Sequence, residues 1–200
     1  ALEGVLQRLR VGHRAAARRV ARSFARAFSR EAPIVAPSGS CATMVAHYLP
    51  ELVGCEPFPI YELSAFLDEH GARPEPLNEG RVVSYHDSCH MLRELRITEA
   101  PRALADSVGG CETVTWAGSD RCCGFGGTFS VKLPEASVAM ADEKLRALAA
   151  AEPPPEMLVG CDTSCLLHLQ SRAEAVGNDI PVRHLAEVLA AALPPEEGPT

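Results

Sequence analysis

The sequence predicts an α/β fold of two repeated units with mainly parallel sheets, on three observations. Short runs rich in β-branched residues alternate with stretches of helical spacing. With 46% hydrophobic residues in 200, a core can close without disulfide staples. One strand–helix–strand–helix segment also occurs twice, as in a duplicated unit.

Val5, Leu6 and Leu9, then Val20, Phe24 and Phe28, have helical spacing, so residues 2–30 read as helix interrupted near Gly12. Residues 33–37 form a short strand, and ATMVAHYL and YELSAFLDEH are helical, the second closed by Gly71. The Pro-, Gly- and Glu-rich stretch 71–80 is a linker. RVVSYHD is a strand, 91–108 one or two helices with Pro101 in a first turn, and ETVTW a strand. Pro134 opens a helix with Val138, Ala141, Leu145 and Leu148 as its inner stripe. EMLVG is a strand, 166–176 a helix, IPVRH a strand or its edge, and HLAEVLAAAL the last helix. The PPEEGPT end frays.

The repeat aligns APIVAPSGSCATMVAHYL and IYELSAFL with PEMLVGCDTSCLLHLQ and VRHLAEVL. Cys41 matches Cys165 at an offset of 124, and Leu63 matches Leu185 at 122. Residues 1–79 therefore read as a first unit missing its front, 80–194 as a complete second unit, and 195–200 as a flexible tail. On this reading about 40 residues, with another cysteine and another cysteine pair, are expected ahead of Ala1.

Composition narrows the function classes. No apolar run approaches the length of a membrane span and no signal segment opens the chain, so it reads as soluble and cytoplasmic. In a reducing compartment, eight cysteines point to metal ligands or redox thiols ahead of disulfides. A net charge of −7 argues against nucleic acid as a partner. Arg14, Arg18, Arg22, Arg26 and Arg30 recur every fourth residue, either as a solvated helix face or as a docking stripe for an acidic partner.

Four cysteines read as one site: Cys89, the pair Cys122 and Cys123, and Cys165. Gaps of 32 and 41 residues are too long for a zinc finger and imply ligands gathered by a fold built beforehand. Each candidate follows a predicted strand, and the carboxyl ends of parallel strands share one edge, so three loops can converge there. Helices starting after Cys89, Cys123 and Cys165 would aim their amino ends at the site. Gly124, Gly126 and Gly127 would let backbone N–H groups approach sulfur. A single zinc needs sulfurs roughly 3.8 Å apart from bonds of about 2.3 Å, a strain on adjacent cysteines that a multi-iron cluster avoids. An iron–sulfur cluster is therefore favoured over zinc.

Other residues keep two readings. Cys161 is an extra ligand or a packing cysteine, and Asp162 a carboxylate ligand or a helix cap. His86, Asp87 and His90 brace the ligands or serve ordinary loop hydrogen bonding. Cys55 and Cys111 read as small buried residues, and Cys41 as a ligand only with companions supplied from ahead of the chain.

YHDSCH, DRCCGFGGTFSVKLPE, CDTSCLLHL and VRHLAEVL resemble the cysteine-rich CCG-domain proteins, most closely the lactate utilisation protein A group. Related subunits occur in glycolate oxidase and heterodisulfide reductase. The resemblance covers nearly the whole chain and implies an iron–sulfur electron-transfer subunit of L-lactate oxidation, working with companion iron–sulfur or flavin subunits. It implies Cys89, Cys122, Cys123 and Cys165 as ligands of a [4Fe–4S] cluster, with Cys41 the last member of a second set. Asp162 stands where the wider pattern has a cysteine, which disfavours the five-cysteine cluster of heterodisulfide reductases. Two other functions compete: a thiol/disulfide reductase, which gains if Cys161 and Cys165 can meet, and a structural zinc module for assembly.

Overall fold

The computed structural model describes residue 9 and residues 11–72, 81–108 and 112–193. Expectations for Val5, Leu6, most of the 71–80 linker, Cys111 and the tail fall outside these residues. The chain is α/β, and every strand pairing is parallel.

Helix α1 (Arg14–Ala27) precedes strand β1 (Ile34–Ala36). A continuous helical stretch follows, made of α2 (Gly39–Thr43), a π-helical turn (Met44–Tyr48) and α3 (Leu49–Val53), which Gly54 closes in the left-handed conformation. Strand β2 (Ile60–Glu62) pairs with β1 and leads into α4 (Leu63–Glu69). Helix was expected from Tyr61; instead Ile60, Tyr61 and Glu62 pair along β1, and the helix starts two residues later, where the Glu62 carboxylate accepts from the Ser64 N–H. Ala17, Ala21, Met44, Val45, Leu49, Leu52 and Phe58 form the core of this region.

The second sheet has the order β4-β3-β5-β6, with β3 (Val82–His86), β4 (Glu112–Val114), β5 (Met157–Gly160) and β6 (Val182–His184). Between them lie a π-helical turn (His90–Leu95), α5 (Glu99–Ser107), α6 (Thr128–Lys132), α7 (Pro134–Ala149) and α8 (Thr163–Ala175), with α9 (Leu185–Ala191) last. Alternation along β3 and β5 divides the core. Val83, Tyr85 and Val159 pack with Leu104 and Leu185 of α5 and α9. Leu158 packs on the other face with Leu145, Leu148 and Leu169 of α7 and α8. Full burial of each such leucine contributes about 1.5–3 kcal/mol.

The chain runs outward from β3 to β4 and then crosses to β5 on the other side of β3. The carboxyl ends of β3 and β5 thus flank a topological switch point, where loops diverge and leave a crevice. The two-stranded sheet follows the same geometry. Ile34 pairs with Ile60 and Ala36 with Glu62, while Leu158 pairs with Val182 and Gly160 with His184, which reproduces the offsets of 124 and 122. Both second strands end on a residue that caps the next helix through its side chain, Glu62 for α4 and His184 for α9. No helix among the described residues is long and apolar enough to cross a membrane.

Candidate metal centre

Three segments deliver the four cysteines to the switch point. Cys89 follows β3 and starts the π-helical turn, Cys122 and Cys123 lie in the loop after β4, and Cys165 follows β5. Cys165 is the third residue of α8, which begins at Thr163 and not after the cysteine as expected. The helix after the cysteine pair begins only at Thr128. Cys123 and Cys165 are buried, and Cys89 and Cys122 half-buried.

The thiols touch one another in series, Cys89 against Cys122, Cys122 against Cys123, and Cys123 against Cys165. This contact splits their acidities. Cys122 is held far below the ordinary thiol range by the Cys123 and Cys89 thiols that donate to it. Cys165 is drawn down to about 6, first by the Cys123 thiol and then, against burial, by the nearby His86 imidazole. Cys89 and Cys123, the donors, are pushed up. Each donor thiol places its proton against a neighbouring sulfur. A bound cation would replace those protons, because metal ligation requires thiolates.

His86 belongs to the same group. Its ligating nitrogen and the sulfurs of Cys123 and Cys165 lie within 4.8 Å of one another. The imidazole is 1% exposed, and apart from its approach to the Cys165 sulfur neither ring nitrogen has a hydrogen-bond partner. A buried polar ring left this way is costly in an ordinary core and suits a ligand position. The sequence pointed to His86 only as a brace; its place at the end of β3, opposite the side-chain-free Gly160, brings it among the thiols. The four thiols, the buried imidazole and the backbone donors fit a metal or iron–sulfur group.

The cysteine-pair loop is fixed from several sides. The Gly124 N–H donates to the Cys122 sulfur and the Phe125 N–H to the Cys123 sulfur, both at 3.4 Å. Gly124 has φ +92°, and a Cβ there would lie 2.4 Å from the Ser137 carbonyl of α7, so no larger residue fits. Ser137 donates its hydroxyl to the Gly124 carbonyl at 2.8 Å. Lys144, also on α7 and 1% exposed, donates to the carbonyls of Gly118, Ser119 and Arg121. Burial lowers its pKa to about 8. Neither Ser137 nor Lys144 stood out in the sequence, although both fall on the inner stripe of the helix.

The neighbours of Cys89 take separate roles. Asp87 forms a bidentate pair with Arg102 at 2.7 and 2.8 Å, and its N–H reaches the Ser119 carbonyl in the cysteine-pair loop. His90 Nδ1 lies 3.8 Å from the Cys89 sulfur. Ser88 donates to Asp162 Oδ2. Asp162 also accepts from the Ser38 hydroxyl at 2.9 Å and the Ser40 N–H at 3.0 Å. It stands at the amino end of α8 without capping it; its carboxylate instead serves α2 and ties the two sheets' helices together.

Cys161 and Cys41 stand apart from the four. Cys161 packs with Val83, Tyr85 and Val159, on the face of the sheet opposite Cys123 and Cys165, and contacts the Tyr85 hydroxyl and Glu62. Its partner is thus not Cys165, the pairing that a dithiol reductase would use. Cys41 is half-buried and lines a cavity of about 410 Å³ with Phe24, Phe28 and Ser164. Cys55 is half-buried rather than buried, packed on the core of the first sheet.

A family model described as a cysteine-rich domain, CCG, matches residues 83–170, the span that contains all four cysteines. Lactate utilization protein A of Shouchella clausii (strain KSM-K16) is 40% identical over 172 residues, covering 78% of this chain and 69% of that protein. Uncharacterized protein YkgE of Escherichia coli (strain K12) is 39% identical over 173 residues, with 78% and 69% covered. Lactate utilization protein A of Anoxybacillus flavithermus (strain DSM 21510 / WK1) is 40% identical over 171 residues, with the same coverage. The chain belongs to the cysteine-rich CCG family, in the group that includes the lactate utilization protein A relatives.

Proposed function

We propose that this chain is an electron-transfer subunit of a system oxidising L-lactate or a related 2-hydroxy acid, and that Cys89, Cys122, Cys123 and Cys165 hold a [4Fe–4S] cluster. The observation that carries this reading is the contact of four thiols, from three loops, at the switch point of a parallel sheet. The lactate assignment comes from the relatives' names. When bound, such a cluster supplies a one-electron couple. The polypeptide's part is to hold and insulate. Gly124 and Phe125 give N–H groups to sulfur, α7 and α8 exclude water from Cys123 and Cys165, and half-buried Cys89 and Cys122 mark the side where a companion flavin or iron–sulfur subunit would approach. We also read residues 1–79 and 80–194 as two copies of one unit, on the matching strand registers.

A second reading rests on the group formed by His86, Cys123 and Cys165, whose donor types suit a single zinc ion. One experiment separates the two. Anaerobic reconstitution with iron and sulfide, read by absorbance, EPR and metal count, should give a cluster in the wild type and little or none in Cys122→Ser. A colourless protein that takes up one zinc with undiminished affinity in Cys122→Ser would instead support the zinc site.

A further inference from the structure

Lys144 places a positive charge behind the thiol site. Its ammonium has three donors, and they end on the carbonyls of Gly118, Ser119 and Arg121 at 2.6, 3.0 and 2.6 Å. All three carbonyls lie in the segment that enters Cys122. The ammonium stands 5.0 Å from the centre of the Trp116 ring, which covers it. These partners are neutral, so its charge is hydrogen-bonded but not cancelled by a carboxylate in contact. The ionisable groups that act on it electrostatically are Cys123, Asp87, Cys165 and Asp120, and the Asp87 carboxylate is already engaged by Arg102.

Burying a charge without an ion-pair partner costs several kcal/mol, and a neutral donor could hold a loop at lower cost. The charge therefore has its own use in this position. Four thiolates around a metal or iron–sulfur group carry excess negative charge, which grows by one when an electron is added. A fixed cation close behind Cys123 and Cys165 offsets that charge and favours the reduced form.

We propose that Lys144 is a positioning residue with two tasks, clamping the segment before Cys122 and raising the reduction potential of the group that the thiols bind. The second task rests on the iron–sulfur reading above. The test is a redox titration, monitored by EPR, of anaerobically reconstituted wild type, Lys144→Gln and Lys144→Arg, with iron counted and folding checked by circular dichroism. Gln keeps donors for the loop and removes the charge; Arg keeps the charge. At the wild-type midpoint, Lys144→Gln should show an about tenfold lower ratio of reduced to oxidised cluster, a shift of 59 mV to lower potential for a one-electron couple, while Lys144→Arg stays near wild type. If folded Lys144→Gln takes up no cluster but Lys144→Arg does, the charge serves assembly in place of the potential, and the second task falls. Equal potentials in wild type and Lys144→Gln, or failure of both folded variants to load, would overturn the role of the charge and leave the thiol site standing. A wild type that binds no iron would overturn both readings.

Discussion

Cys41 and Cys165 each occupy the third position of a helix, α2 and α8, that follows a short parallel strand. The strands ahead of them pair in matching register, β1 on β2 as β5 on β6, and the helices after the second strands are capped in the same manner. Their surroundings differ. Cys165 faces Cys123 and His86 beneath α7, whereas Cys41 lines a cavity beside Phe24 and Phe28. A strand–helix unit thus presents a thiol, but convergent loops make it a site. In the second sheet those loops come from β3 and β4, which have no counterpart among the described residues of the first. The helices of the two sheets also share a joint. Ser38 and Asp162, equivalent under the offset of 124, meet across it, and Asp162 serves the amino end of α2 where it would otherwise cap α8.

The largest expected effect tests the inequality of the two cysteines. Removing even a supporting partner of a metal ligand costs about 10–100-fold in affinity, so Cys165→Ser should lower the affinity for iron by at least about tenfold and leave less iron per chain. Cys41→Ser should match wild type. Equal losses in the two variants, measured as iron per chain after reconstitution, would break the comparison.

Next comes the joint. Asp162→Ala leaves the donors of Ser38, Ser40 and Ser88 without their acceptor, and should lower stability by about 3 kcal/mol in urea denaturation. Ser38→Ala, which removes one bond to Asp162 and the cap accepted from the Cys41 N–H, should cost about 1 kcal/mol. Matching costs would mean that the carboxylate is not the centre of the joint.

A smaller effect separates the two helix caps at β2 and β6. Burial raises the Glu62 carboxyl above its ordinary range despite the hydrogen bonds from Ser64. A carboxyl raised in the folded state binds its proton more tightly there. It therefore contributes stability that is fully present below the unfolded-state pKa near 4.5 and is lost as pH rises through the folded value. Glu62→Gln should flatten this fall in stability above pH 4.5, as read from melting temperature against pH. An unchanged slope would mean that Glu62 is not its source.

Much of this was legible in the sequence because it depends on local pattern. RVVSYH, ETV and MLVG are β-branched or apolar runs, and they became β3, β4 and β5. The cysteine spacing implied convergence from three loops, and the thiols do meet. What stayed hidden depends on tertiary contact. Tyr61 and Glu62 of β2 belong to a stretch of helical spacing and pair along β1 against it. The π-helical turns at Met44–Tyr48 and His90–Leu95 accommodate one extra residue each, which no periodicity announces. His86 reads as a brace for the ligands or an ordinary hydrogen-bonding residue, and only the pairing of β3 with β5 and the packing of Cys123 and Cys165 put it among the thiols. Lys144 stands next to Leu145 in sequence, and only its three carbonyl acceptors explain why a charge lies on a buried stripe. Asp162 reads as a cap for its own helix and binds another.

The most direct measurement is thiol alkylation followed by mass spectrometry, on the protein before and after anaerobic reconstitution. Before loading, half-buried Cys41, Cys55 and Cys122 should react readily, and Cys89, whose thiol donates to Cys122, more slowly. After loading, Cys89 and Cys122 should become protected along with Cys123 and Cys165, while Cys41 and Cys55 continue to react at their earlier rates. Continued reaction at Cys89 and Cys122 in protein that has taken up iron, or new protection at Cys41, would contradict the four-cysteine site at the switch between β3 and β5.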